Sequence, residues 1–183
     1  LGAMFRGSAI VIQDTVDHFD AEEIVSIFDR ERITQATLIG DAFALPLLAE
    51  MDRGDYDLSA MSMINSGGAV LSPRNKERLQ EHMPEMLLVD AVGSSEAGRQ
   101  AMNFSKGGKT KSSVDFSMDE NARVISADRS RILHAGDEEA GWVAQREPVA
   151  MGYLNDREKA ATSFPAIDGE RYAVPGDRAR MND

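Results

Sequence analysis

Two clusters of small residues, Gly67-Gly68-Ala69 and Gly93-Ser94-Ser95-Glu96-Ala97-Gly98, each follow a run with strand character. Glycines placed directly after a strand let a ligand lie against bare backbone, and they serve equally as a tight strand-to-helix turn. In the second cluster, hydroxyls and backbone N–H groups surround one carboxylate, Glu96. A loop of this kind admits phosphate oxygens. Its carboxylate suits Mg²⁺, which favours one or two carboxylates together with substrate phosphates. The other reading is a solvated surface loop. An amphipathic stretch, Ser72 to His82, and a β-run, Met86 to Asp90, separate the clusters. That order sets both loops at the carboxyl ends of neighbouring strands, where open α/β sheets bind ligands.

Other chemistries find less support. A nucleophile elbow needs Gly two residues after its serine, and Glu96 or Ala97 stands there. Lys106 to Ser113 (KGGKTKSS) has the look of a phosphate loop, but Asn103 occupies the place of its first glycine, leaving a basic surface loop. His18, His82 and His134 have no metal-ligand spacing, which argues against zinc. With no cysteine there is no disulfide, thiolate ligand or thiol nucleophile. A triad built on Ser95 has no local signature.

The elements that must carry these loops are legible from periodicity. Ser8 to Gln13 reads as a buried strand. Asp20 and Glu23 have capping-box spacing at the head of a helix reaching Arg32, with Ile24, Ile27 and Phe28 on one face. Ile33 to Ile39 is a strand. A helix from Gly40-Asp41 then runs through Leu45, Leu48 and Met51, interrupted at Pro46. A polar connection leads to a strand at Met61 to Asn65, the Ser72–His82 helix and the Met86–Asp90 strand. This alternation predicts βαβ units. After Gly98 the pattern changes. Ser112 to Met118 and Ala122 to Ser126 flank Asp119-Glu120-Asn121 as a hairpin, followed by a strand at Ala140 to Gln145, a helix at Asp156 to Phe164 and a strand at Gly169 to Val174. The expected fold is α/β, a partly parallel βαβ sheet followed by an antiparallel, barrel-like β appendage, divided as residues 1–98 and 99–183.

The 183 residues suffice for one core, or one core and a small appendage. A hydrophobic content of 42% with 28% charged residues is that of a globular chain. The net charge of -11 argues against a nucleic-acid surface and speaks to solubility. No apolar run is long enough to span a bilayer, and residues 1–12 lack a signal-peptide layout, so a cytoplasmic protein is expected. The first residue is Leu1 and the last run is Met181-Asn182-Asp183, the pattern expected of an internal portion.

Several segments, in order, resemble the adenylate-forming superfamily, the acyl-CoA synthetases and their relatives. AMFRGSAIVIQ and DAEEIVSIFDRERIT are similar to a strand and helix of that family. SGGAVLSP resembles its SGGAPL-type turn, and DAVGSSEAG its aromatic-G-x-T-E loop. GWVAQREPVAMGYLNDREKAATSF resembles the GE…GY…PE-T segment and RYAVPGDRAR the Y-x-T-GD motif. The resemblance covers nearly the whole chain and implies the central part of an acyl-CoA synthetase N-terminal domain.

The resemblance also implies roles. Gly67, Gly68 and Ala69 would lie along the adenine and the acyl channel. Asp90, Ala91 and Val92 would line the nucleotide, with Asp90 facing the adenine amino group. Gly93, Ser94 and Ser95 would approach the carboxylate and α-phosphate, with Ser95 in the usual threonine place. Glu96 would hold Mg²⁺, Asp177 would accept the ribose hydroxyls, and Gly40 to Phe43 would line the acyl or pantetheine path. Ser95 and Glu96 are thus the implied catalytic pair.

The implied activity of the parent protein is ligation. A carboxylic acid, of fatty type, reacts with ATP to an acyl-adenylate, and coenzyme A then displaces AMP. Departures are Val92 in the place of an adenine-stacking aromatic, Trp142 for a Glu, and Pro175 before Gly176-Asp177. The family's phosphate loop and lysine-bearing mobile domain are not among these residues, so the fragment alone is expected to be inactive. Val92 and Trp142 keep open a non-catalytic nucleotide- or acyl-binding module, and an aryl- or amino-acid-adenylating domain is a further alternative.

Overall fold

The computed structural model describes Phe5, residues 7–107 and residues 115–182. Helix α1 (Ala21–Arg30) begins where a side chain satisfies a free N–H: Asp20 accepts from the Glu23 N–H at 3.0 Å. The reciprocal half of the capping box is absent. The Glu23 carboxylate reaches instead to the N–H groups of Asp14 and Thr15, fastening the chain ahead of the helix. Val25, Ile27 and Phe28 turn inward.

Strand β1 (Gln35–Leu38) leads into α2 (Gly40–Met51), then β2 (Met63–Gly67), α3 (Pro73–His82) and β3 (Leu87–Ser94). β1 and β2 are parallel, with Gln35 opposite Met63 and Leu38 opposite Ser66, so α2 is a crossover of a βαβ unit. The expected break at Pro46 does not occur, and α2 continues through it. An interior proline costs about 3 kcal/mol. Burying leucines offsets that at about 1.5–3 kcal/mol each, and Leu47, Leu48 and Met51 beyond the proline are all buried. The core under these elements joins Val25, Leu38, Leu47, Leu48, Ile64, Leu71, Leu79 and Leu88.

Three expectations are corrected. Ser8 to Gln13 forms no strand, and Ile10, Val11 and Ile12 are exposed. A β-rich run becomes a strand only when its N–H and C=O groups meet a neighbour, and the described residues pair none with it. Next, β3 continues past Asp90 to Ser94 and returns as β4 (Gly98–Ser105), a strand not foreseen. Its pattern is disguised, since Gln100, Asn103 and Ser105 are buried while Phe104 faces out. Finally, Asp119 to Asn121 is a corner rather than a hairpin tip. The Ala122 N–H donates to the Asp119 carbonyl at 2.9 Å. β5 (Ser117–Met118) pairs antiparallel with β4, however, whereas β6 (Ala122–Ile125) enters another sheet. The start of the expected Ser112–Met118 strand, and most of Lys106 to Ser113, lie outside the described residues.

Among the described residues the first sheet has the order β1-β2-β3-β4-β5. The second contains β6, β7 (Ile132–Leu133), β8 (Gly141–Arg146), β9 (Ala166–Ile167), β10 (Glu170–Ala173) and β11 (Arg178–Ala179), ordered β7-β6-β8-β10-β9 with β11 also on β8. The pairings β6–β7, β6–β8, β8–β10, β8–β11 and β9–β10 are antiparallel, and the sheet curls toward closure as a barrel-like layer. Helix α4 (Arg157–Ser163) lies between β8 and β9 in sequence. The architecture is therefore mixed α/β with a parallel βαβ part and an antiparallel β part.

The described residues form two compact units, 5–89 with 104–107, and 90–103 with 115–182. The second has a small core of Ile125, Ala144, Ile167, Tyr172 and Val174, and a further cluster of Ala97, Phe164 and Ala173. No helix among the described residues is long and apolar enough to cross a membrane.

Candidate functional site

In the first unit the residues singled out in the sequence lie where β1 and β2 hand over to their helices. Gly40 opens α2 with φ +55°, and a Cβ there would sit 2.5 Å from the Val70 carbonyl oxygen and 2.9 Å from the Ala69 Cβ. Only glycine accepts both the left-handed backbone and that proximity. The Asp41 N–H donates to the same Val70 carbonyl at 3.0 Å. Asp41 Oδ1 accepts from the Ser72 N–H at 2.9 Å and from its hydroxyl at 3.2 Å. Burial pushes this carboxyl upward, but the bonds from Ser72 and the Asn75 side chain outweigh it and hold Asp41 below the usual aspartate value. One side chain thus caps α3 from the preceding crossover. Between these anchors Gly67 closes β2, while Gly68 (φ +78°) and Ala69 are exposed. The Gly40–Phe43 and Gly67–Ala69 segments, assigned separately in sequence, share this corner.

In the second unit Asp90 is buried within β3, and Ala91 and Val92 are half-buried. The second cluster proves not to be a loop leaving a strand. Gly93 and Ser94 are the last residues of β3 and Gly98 the first of β4, so Ser95, Glu96 and Ala97 form a hairpin tip. A Cβ on Gly93 would stand 2.5 Å from the Gly98 carbonyl oxygen, so the strands meet there without a side chain between them. Ser94 Oγ accepts from the N–H groups of Glu96 and Ala97, both at 3.2 Å. Ser95 is exposed.

Glu96 is half-buried and held from a distant loop. The Tyr153 hydroxyl donates to Glu96 Oε1 at 2.7 Å, and the Ala150 N–H donates to the Glu96 carbonyl at 3.3 Å. Lys159 Nζ lies 4.2 Å from the Tyr153 ring centroid. The Tyr153 bond, then the backbone N–H, the Ser94 hydroxyl and the Lys159 charge hold the Glu96 carboxyl below the ordinary glutamate value against a smaller push from burial. A carboxylate kept charged and half in solvent can meet a cation. Among the described residues, no three His, Asp or Glu side chains converge as a metal site on their own.

Asp177 sits on a separate segment. It is exposed, follows Gly176, and its carbonyl accepts from the Val143 N–H at 2.8 Å, fixing the entry to β11 against β8. Beside it in the ladder, Trp142 is opposite Arg178, whose guanidinium is 4.4 Å from the ring centroid. A concavity elsewhere in the second unit is lined by Met118, Val124, Ile132, Leu133, His134 and Met181 among others, and contains none of the predicted residues. Sequence reasoning missed Tyr153, Lys159 and Ala150. The only signal for them was the Gly152-Tyr153 pair, which periodicity does not connect to Glu96.

Comparison with known proteins adds an independent line. The family described as AMP-binding enzyme matches residues 1–154. The chain is 44% identical over 178 residues to the medium-chain acyl-CoA ligase Mig of Mycobacterium avium, covering 97% of this chain and 32% of the relative. It is 30% identical over 182 residues to a medium/long-chain-fatty-acid–CoA/3-oxocholest-4-en-26-oate–CoA ligase of Mycobacterium tuberculosis, covering 99% of this chain and 33% of the relative. The chain thus spans about a third of the length of these curated relatives. Crystal structures of the nonribosomal peptide synthetase FmoA3 share the fold. Their TM-scores are 0.83, and 0.82 for the AMPPNP-bound form, each at 20% identity over 96% of this chain and 20% of the other.

Proposed function

The chain belongs to the AMP-binding enzyme family, and from that premise we propose that it is the adenylate-binding part of an ATP-dependent acyl-CoA ligase acting on a fatty acid. The observation that carries the reading is the Glu96 hairpin. It is a tip of small residues whose one carboxylate is kept charged by Tyr153. In this reading residues 1–98 supply the adenylate-binding loops, and residues 99–183 supply a β-rich part ending in the ribose-binding Gly176-Asp177 pair.

Each residue has a task within its own segment. Gly67, Gly68 and Ala69 lie along the adenine and acyl group, with the backbone of Gly68 and Ala69 exposed. Asp90 accepts from the adenine amino group, with Ala91 and Val92 beside it. Gly93, Ser94 and Ser95 approach the reacting carboxylate and α-phosphate, and the Ser95 hydroxyl, exposed at the tip, donates a hydrogen bond there. Asp177 accepts both ribose hydroxyls with its paired oxygens. Glu96 fits Mg²⁺ in type, charge and exposure. When bound, that ion neutralises phosphate charge. The chain's contribution is positioning and fixed electrostatics, with no side-chain nucleophile. The acyl group of the adenylate passes to the thiol of coenzyme A, which gives up its proton, as the bond from acyl carbon to phosphate oxygen breaks and AMP leaves. This chain by itself binds adenylate without turning over, and a cytoplasmic location goes with ATP and coenzyme A as co-substrates.

Calorimetric titration with a non-hydrolysable acyl-adenylate analogue, and with AMP alone, tests the reading. Binding that weakens in Asp177→Ala supports it. Unchanged affinity in that variant removes the ribose role. In a longer protein containing this chain, Glu96→Ala is expected to suppress pyrophosphate exchange while sparing the fold, and normal exchange would refute the Mg²⁺ role. A second reading, a non-catalytic module of the same fold, is favoured by Val92 in the place of a stacking aromatic. It predicts nucleotide binding without exchange in any longer form.

A further inference from the structure

We propose that Tyr153 and Arg171 are positioning residues for Glu96: Arg171 holds the loop between β8 and α4 by its carbonyls, and that loop holds Glu96 at its backbone and at its carboxylate. The functional weight of this tether rests on the Mg²⁺ role of Glu96 proposed above.

The loop, residues 147–156, belongs to no helix or strand; a bridge between Tyr153 and Asp156 closes its end, and Val149 and Tyr153 pack on the Ala97–Phe164 cluster. Its Ala150–Met151 stretch is gripped by Arg171 on β10, whose Nη2 donates to the carbonyls of Ala150 at 2.9 Å and Met151 at 2.6 Å. The guanidinium lies 4.8 Å from the ring centroid of the buried Phe164, and Nη1 is 3.8 Å from the Glu147 carboxylate. A planar fork can stack and bond two carbonyls together, which a lysine ammonium on a flexible stem does poorly.

The two gripped carbonyls lie between the loop's two contacts with Glu96. Ala150 also supplies the N–H that meets the Glu96 carbonyl, and Tyr153 is two residues beyond Met151. Phe164 joins the parts, its ring being 5.7 Å from that of Tyr153 as well as under Arg171. Glu96 is therefore held at two points by a strap whose other end is fastened to β10. A half-buried glutamate at a hairpin tip otherwise samples several rotamers, and fixing one of them preorganises a ligand oxygen.

The test uses the 183-residue chain with Tyr153→Phe, which keeps the ring and removes the hydroxyl, and Arg171→Lys, which keeps the charge and removes the fork. Amide hydrogen exchange is followed at Ala150, Glu96 and Ala97. The Val143 N–H, bonded to Asp177 in the same unit, is the internal reference. Arg171→Lys is expected to speed exchange at Ala150 about three- to tenfold, the range of one or two lost hydrogen bonds, with Val143 unchanged. In either variant the carboxyl carbon signal of Glu96, titrated with MgCl₂ in the presence of AMP, should need severalfold more Mg²⁺ for half-saturation. Equal acceleration at Ala150 and Val143, or none at either, overturns the strap. If the exchange pattern holds but Glu96 of the unsubstituted chain ignores Mg²⁺, the metal role falls and the strap stands as a support of the hairpin alone.

Discussion

The turn after β2 and the hairpin after β3 both present small residues to solvent, yet different forces hold them. The first is anchored by Asp41, 31 residues before the Ser72 it caps, and by bare backbone at Gly40 pressed on Ala69 and Val70. Those contacts are continuous with the core of α2, β2 and α3, so loop shape and unit stability are one property there. The second is anchored by Tyr153, 57 residues from Glu96. That bond lies at the partly exposed edge of the unit, joined to a small cluster around Ala97 and Phe164. Its geometry can change while most of the unit's core stays packed. A strand-end loop built on backbone sterics is rigid at the expense of mutability, whereas one built on a side-chain strap is adjustable.

Substitutions ordered by expected effect put this difference at risk. Gly40→Ala should be the most damaging, about 3 kcal/mol in denaturant unfolding, from positive φ and a backbone clash together. A change under 1 kcal/mol would mean that the corner yields and is not built on sterics. Asp41→Ala should cost about 1–2 kcal/mol by removing the cap of α3. Tyr153→Phe should cost about 1 kcal/mol or less in the same assay while loosening the Glu96 hairpin. A loss larger than that of Gly40→Ala would reverse the comparison.

Acidity sharpens it further. The folded pKa of Glu96 lies below its ordinary value of 4.5, chiefly because Tyr153 bonds the charged form. Its stabilisation is therefore complete above about that value and is lost as pH falls through the lower folded pKa. The stability difference between Tyr153→Phe and the parent chain should accordingly be largest above pH 4.5 and shrink below it. A difference that grew on acidification would contradict the bond's direction. Asp41, lowered from 3.8, acts in the same sense over a more acidic window. The smallest effect is expected at Asp52, which meets Arg78 and His82 on an exposed face. Exposed pairs are screened by water and salt, so Asp52→Asn should leave the unfolding midpoint within error.

Legibility in the sequence followed the range of the interactions. The Asp20 cap, the βαβ alternation, the glycine turn after β2, and the strand–helix–strand series from Gly141 to Ala173 all rest on contacts within a few residues or on simple periodicity. Ser8 to Gln13 was misread because strand propensity is not a partner. β4 was missed because its buried positions include the polar Gln100, Asn103 and Ser105. The corner at Asp119 resembled a hairpin because turn chemistry does not say which sheet the next strand joins. Glu96 was singled out from its setting of small residues, and its tether was not.

The order of residues was enough for the glycine turn after β2, the Asp20 cap of α1, and a lone carboxylate among hydroxyls and N–H groups. These are local demands of sterics and hydrogen bonding, settled within a turn or a strand. Folding brought Asp41 to the head of α3, and set Arg171 and Phe164 against the loop that carries Tyr153 to Glu96. Those pairings join residues distant in sequence, and no pattern of neighbours encodes which of many distant side chains a fold will bring within hydrogen-bonding reach.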